Sequence, residues 1–268
     1  MSAEGEVVAV AGCGVRSAVA VCGLRSAPAI AGSSANDETR VREILPGGRH
    51  YGRPGQQLPR APGLTGPCGS PAGPAPVRGK AAFLDRTAVD RAVLVEASSA
   101  GFTLRRFAAA EPGRVAGLVF LGSPARLADK PGVAAIRAWV DGLTDPLDPI
   151  TMRELLDSLV SGPLPEDFAV LMVRESLPVP ARVWRDSFHG LLDEPSSERL
   201  DQVTAPVLAI WGDHDPLVPR SDQERLTAAF PQATLLVHEG AGHVVHWDDP
   251  VRTAADPAAF TATCAHRP

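Results

Sequence analysis

The stretch Leu94-Val-Glu-Ala-Ser-Ser-Ala-Gly101 decides how this chain is read. It continues the short apolar run Arg91-Ala-Val-Leu-Val95, of the kind a sheet buries on both faces, and it opens into a helical stretch from Gly101 to Ala110. Glu111-Pro112-Gly113 ends that helix, because proline cannot continue it. A strand that bends sharply into a helix through small residues is the arrangement that presents a nucleophilic serine on a strained turn. The usual G-x-S-x-G spacing is absent, so two frames are open. Ser98 has Glu96 and Ala100 two residues to either side, whereas Ser99 has Ala97 and Gly101, the smaller and sterically better pair.

Outward from this turn, from Ala81 to about Phe260, apolar runs alternate with amphipathic stretches. Val115-Ala-Gly-Leu-Val-Phe-Leu121, Pro206-Val-Leu-Ala-Ile-Trp211 and Ala233-Thr-Leu-Leu-Val237 are further buried strands of a mostly parallel sheet with covering helices. Two more polar motifs stand at strand ends. Ile210-Trp-Gly-Asp-His-Asp-Pro-Leu-Val-Pro219 is an acidic loop whose carboxylate can orient a histidine and stabilise its imidazolium, with Asp215 and Asp213 both available. Glu239-Gly-Ala-Gly-His-Val244 brings His243 to the surface among small residues. Each of these residues alone is more often structural: a serine in a turn, an aspartate as a cap, a histidine satisfied in the core. Their joint occurrence in the order Ser, Asp, His, each at a strand's C-terminal edge, points to acyl-transfer chemistry.

On these motifs, residues 81 to about 260 resemble the α/β-hydrolase fold family, close to its small esterase and lactonase-like members. Ala82-Phe-Leu-Asp followed by Val89-Asp-Arg-Ala-Val-Leu-Val95 resembles the helix and strand before the family's nucleophile, and Ala109-Ala-Glu-Pro-Gly-Arg-Val115 resembles the end of the helix behind it. The family places that proline fourteen residues after the nucleophile; counting back from Pro112 gives Ser98, and Asp90 is placed to match. The resemblance therefore favours Ser98 where local sterics favour Ser99. It implies Asp215 as the catalytic acid, with Asp213 second, and His243 as the base. His246 is expected to be a pocket or core residue. An oxyanion hole would take one N–H from Ser99. The other, which in the family follows an early strand ending in His-Gly, has only Val7-Val-Ala-Val-Ala-Gly-Cys13 to supply it, with Cys13 as the candidate.

The resemblance also implies a cap inserted between two core strands. Residues 81–125 and 204–268 are expected to form the hydrolase core, and 126–203 a helical cap. Met152 to Val160, Phe168 to Ser176 and the region of Trp184, Phe188 and Leu191 read as short helices, with Trp139 and Trp184 lining a substrate pocket. Residues 1–80 differ: Gly and Pro are dense, Glu6 to Val10 and Ala18 to Cys22 are weak strands, and Pro46 to Lys80 has no readable period. This part is expected to be atypical and poorly ordered or degenerate, as GC-rich DNA read in a shifted frame would encode. Glu96 is a bulky carboxylate that either repels an oxyanion or turns away to pair with an Arg. His50, His189, His214, His238 and His266 have no supporting constellation and read as surface or incidental, and Asp248-Asp249-Pro250 reads as the cap and first proline of a final helix.

Bulk properties narrow the classes. The chain has 268 residues and a formal net charge of -5, with no basic footprint for nucleic acid and no apolar run of the roughly 18 residues a span needs. A charged leader is missing before the first apolar stretch, so a cytoplasmic protein acting on a small molecule is expected. Cys13, Cys22, Cys68 and Cys264 have no metal-ligand spacing, and neither metal nor cofactor is expected. The leading expectation is a serine hydrolase of ester or related acyl substrates, working through an acyl-enzyme. A dehalogenase is disfavoured because it needs a carboxylate at the turn, while a haloperoxidase-like side activity stays open. The alternative from another class is a non-catalytic or weakly active member that binds a small apolar ligand under the cap.

Overall fold

A computed structural model gives the protein's architecture; the structure describes residues 12–13, 16–17, 75–130, 132–194 and 199–264. Two residue pairs, β1 (Gly12–Cys13) and β2 (Arg16–Ser17), form a short antiparallel ladder. The strands expected at Glu6 to Val10 and Ala18 to Cys22, and most of the loop expected from Pro46, lie outside the described residues. The first helix, α1 (Ala75–Arg86), begins inside the stretch read as lacking a period. Leu84 is buried, and Val77, Ala81 and Phe83 pack on the core, so tertiary burial gives this Gly- and Pro-flanked segment its helix.

Four parallel strands follow in spatial order: β3 (Ala92–Ala97), β4 (Val115–Leu121), β5 (Val207–Gly212) and β6 (Ala233–His238). Each of the four apolar runs read from the sequence is one of these strands: Val115 to Leu121 matches at both ends, and the other three differ by one or two residues. Alternation along the strands divides the core in two. Leu94, Leu118, Phe120 and Val207 face α1, α2 (Ala100–Ala110) and α7 (Arg220–Ala228). Val93, Val95, Val119, Leu121, Leu208 and Ile210 face the other way, towards Val245 of α8 (Val245–Asp248) and Cys264 of α9 (Pro250–Cys264). Both faces are covered, as an all-parallel sheet requires. Pro250 opens α9, and Asp249 Oδ1 accepts the Arg252 N–H at 3.0 Å, the capping role expected of that pair.

Between β4 and β5 lie four helices: α3 (Val133–Asp141), α4 (Pro149–Ser158), α5 (Glu166–Ser176) and α6 (Ala181–Leu192). Three coincide with the sequence expectation; α3, bracketed by Gly132 and Gly142, was not foreseen as a helix. The four enclose a small core of their own around Leu143, Leu147, Met152 and Ala181.

Candidate active site

The site begins at the turn between β3 and α2. Ser98 has φ of +50°, a left-handed conformation that an L side chain adopts only under constraint. Its N–H donates to Leu121 O at 2.8 Å, and its own carbonyl accepts the Gly101 N–H at 3.1 Å, so both neighbouring elements hold the turn. Gly101 is where the helix meets the sheet. A Cβ there would stand 2.5 Å from Ser123 Oγ and 2.7 Å from Ser123 Cβ, at the end of β4. Ser99 is the N-cap residue of α2 with helical dihedrals and makes no side-chain cap bond.

The acidic loop is folded onto its own carboxylate. Asp215 Oδ1 accepts the N–H groups of Leu217 (2.8 Å) and Val218 (2.9 Å), and the Trp211 indole N–H closes the loop on Val218 O at 2.8 Å. That leaves Oδ2, which lies 2.8 Å from His243 Nδ1. Ionised Asp215 has only acceptors, so Nδ1 carries the ring proton and Nε2 is left as an acceptor. Nε2 stands 2.8 Å from Ser98 Oγ, which therefore donates to it. Of the alternatives left open by the sequence, Ser98 rather than Ser99 meets the histidine. Asp215 rather than Asp213 orients it; Asp213 Oδ1 instead accepts the Gly240 N–H at 2.6 Å and shapes the histidine loop.

Two backbone approaches make this contact achievable. At Gly122, φ is +57° and a Cβ would lie 2.6 Å from His243 O. At Gly212 a Cβ would lie 2.2 Å from Ala241 O. The acid and histidine loops are thus pressed together with no room for side chains between them.

The comparisons with known proteins agree with this architecture. Residues 75–250, well over half of the chain, match the family model described as the alpha/beta hydrolase fold. The chain belongs to that family. A curated relative, the 2-hydroxy-6-oxononadienedioate/2-hydroxy-6-oxononatrienedioate hydrolase of Cupriavidus pinatubonensis, is 27% identical over 179 residues, covering 62% of this chain and 60% of the relative. The chain thus matches only some three fifths of that relative's length. Among solved structures, an esterase of Thermogutta terrifontis superposes with a TM-score of 0.59 at 20% identity, covering 70% of this chain and 71% of that one. A 2-hydroxy-6-oxo-6-phenylhexa-2,4-dienoate hydrolase of a Rhodococcus strain gives 0.58 at 21% identity, covering 69% and 68%. At those identities the likeness is one of α/β-hydrolase fold.

Other residues expected in the site are placed variously. Trp139 and Trp184 are partly buried against the small core of the inserted helices, and Trp184 Nε1 has no partner among the described residues. Cys13 lies in β1, which neighbours β3. Glu96 is buried and faces α1, where it pairs with Lys80 rather than an Arg. Burial pushes its carboxyl up, and Lys80 opposes that shift through its charge and hydrogen bond. His246 is expected as a pocket or core residue and is largely buried, with Nδ1 unpartnered among the described residues. Burial first, and the neighbouring His243 second, lower its pKa to about 4, against the pull of Asp248. His238, read as incidental, is a core residue: it is 1% exposed and its Nε2 lies 2.7 Å from Asp256 Oδ2. Its partner stands on α9, eighteen residues on, beyond any local sequence pattern. Among the described residues no group of three or more His, Cys, Asp or Glu is disposed to hold a metal, and no helix is long and apolar enough to cross a membrane.

Proposed function

We propose that this chain is a serine hydrolase of small esters or related acyl compounds, with Ser98 as nucleophile, His243 as general base and then acid, and Asp215 as the orienting carboxylate. The observation that carries the reading is the pair of 2.8 Å contacts that join Ser98 Oγ, His243 and Asp215 Oδ2 in a line. Ser98 Oγ attacks the acyl carbon while His243 Nε2 takes its proton, and Asp215 stabilises the imidazolium. The tetrahedral oxyanion is met by the Ser99 N–H and the positive end of α2, with the Cys13 N–H as the second donor. Collapse expels the leaving group, protonated by His243, and water then attacks the acyl-enzyme by the same route reversed.

Residues 126–203 act as a cap over Ser98 in this reading, with the Trp139 and Trp184 rings as its substrate-facing wall. Both side chains are incompletely buried by the inserted core, which supports that placement. The names of the relatives, 2-hydroxy-6-oxononadienedioate/2-hydroxy-6-oxononatrienedioate hydrolases and an esterase, support a small acyl substrate. The site needs no cofactor, and a cytoplasmic setting fits the reading. Labelling folded protein with a fluorophosphonate, followed by peptide mapping, tests it: modification of Ser98 is expected. Modification of Ser99 would move the nucleophile, and a folded protein that takes up no probe would overturn the enzyme reading in favour of a ligand-binding role.

A further inference from the structure

The residues on either side of His243 are tied to the inserted segment as well as to the core. The segment joining α4 to α5 passes directly over the histidine loop: a Cβ on Gly242 would stand 2.9 Å from Leu159 O, Ser161 N and the carbonyl carbon of Val160. After the histidine, the Val244 N–H donates to Leu159 O at 3.1 Å. Before it, the link is made by one carboxylate. Asp248 Oδ2 accepts the Gly242 N–H at 2.7 Å, while Oδ1 accepts those of Ser161 at 3.0 Å and Gly162 at 3.4 Å. Trp247 adds an edge-on contact with Phe168 of α5, with centroids 5.4 Å apart.

We infer that Asp248 is a positioning residue: its carboxylate fastens the histidine loop to the 159–162 segment and so lets the inserted helices set where His243 Nε2 sits. The inference rests on the reading of His243 as the base. Three backbone donors converge on one side chain, and each needs a full acceptor lone pair. An asparagine keeps the shape but turns an NH2 group onto at least one of those donors, leaving two N–H groups face to face. The loop must then draw away from the insertion, carrying the imidazole with it.

The test uses the full chain with Asp248→Asn and Asp248→Glu. The readouts are kcat and KM on a short p-nitrophenyl ester, the fluorophosphonate labelling rate, thermal unfolding, and the proton NMR resonance of His243 Nδ1–H, identified by its loss in His243→Gln. The expected result for Asp248→Asn is a drop in kcat of roughly ten- to a hundredfold, the scale of a small misplacement of a reacting group, with KM nearly unchanged and unfolding still cooperative. The imidazole resonance should shift or broaden, and Asp248→Glu should recover part of the rate. Wild-type kcat with an unmoved resonance would overturn the inference, as would a loss of rate that merely tracks the unfolded fraction in both variants. Should Asp248→Asn not fold, Asp248→Ser carries the test, since it withdraws the carboxylate from the three donors without setting an NH2 group against them; a shifted imidazole resonance is expected, and an unmoved one would overturn the inference. A wild-type protein that never reacts with the phosphonate would sink the hydrolase reading, and the imidazole resonance would still decide the role of Asp248.

Discussion

Lys80→Met should destabilise the protein in a way that depends on pH. Glu96 stands two residues before Ser98, 2% exposed, and its ion pair is with Lys80, whose side chain is 17% exposed. Burial already raises the Glu96 pKa, and the ammonium group is what opposes it. Methionine keeps most of the stem's packing and removes the charge. The folded protein must then hold a lone buried carboxylate or protonate it, and protonation caps the penalty. The cap is the work of protonating at pH 7 a carboxyl whose ordinary value is 4.5, about 3 kcal/mol. The sign follows from the raised folded pKa. The folded carboxyl binds its proton more tightly than the unfolded one, so the loss is smallest near pH 4.5 and grows as pH rises, by up to about 1.4 kcal/mol per unit. Urea unfolding of the wild type, Lys80→Met, Glu96→Gln and the double variant, at pH 5 and pH 7, measures this. The loss should be larger at pH 7 in the single lysine variant, and that dependence should vanish in the double variant. An equal loss at both pH values would refute the reasoning.

Further outcomes follow from the same geometry. His246, held to about 4, refuses a proton that the unfolded chain accepts near 6.5, so stability falls as pH drops through that window, by up to about 3 kcal/mol; urea titrations of His246→Gln should show a flatter profile, and a curve parallel to the wild type would count against it. Gly122→Ala adds a left-handed penalty of about 1–2 kcal/mol to a Cβ lying 2.6 Å from His243 O, so unfolding free energy and ester turnover should both fall. Asp215→Asn should keep the fold, because its amide oxygen can still accept the Leu217 and Val218 N–H groups. It should lower kcat by roughly 10³- to 10⁴-fold through the wrong imidazole tautomer, and a stopped esterase assay against Ser98→Ala sets the floor for that measurement.

The sheet was legible because each of its strands is a short run of apolar residues covered on both faces, the pattern that burial imposes most directly. The acid and histidine loops were legible because their small residues are demanded by close approach: Gly212 against Ala241 O is the clearest case. What escaped the sequence is what depends on partners far along the chain. Glu96 could be seen to need a counter-charge but not which one, and Lys80 supplies it from a helix that was only partly recognised. His238 looked incidental until α9 brought Asp256 to it. Asp248 looked like one of two helix-capping residues; Asp249 takes that role, and Asp248 turns back to the insertion. The reading of residues 1–80 as degenerate falls almost wholly outside the described residues.

The two frames at the turn show why local sterics and spacing disagreed. The small residue that favoured Ser99 was Gly101, two positions after it. Yet Gly101 is small because the first turn of α2 packs on Ser123 at the end of β4, a helix–sheet contact that holds whichever serine is used. The residue before the turn is under no such demand. Glu96 shares its strand face with Ala92 and Leu94, and that face looks towards α1 and α2 rather than towards His243. A large side chain is accommodated there provided its charge is met, which Lys80 does. Steric reasoning therefore identified a real constraint and assigned it to the wrong element. The histidine contact belongs to Ser98, the one residue of the turn held at positive φ.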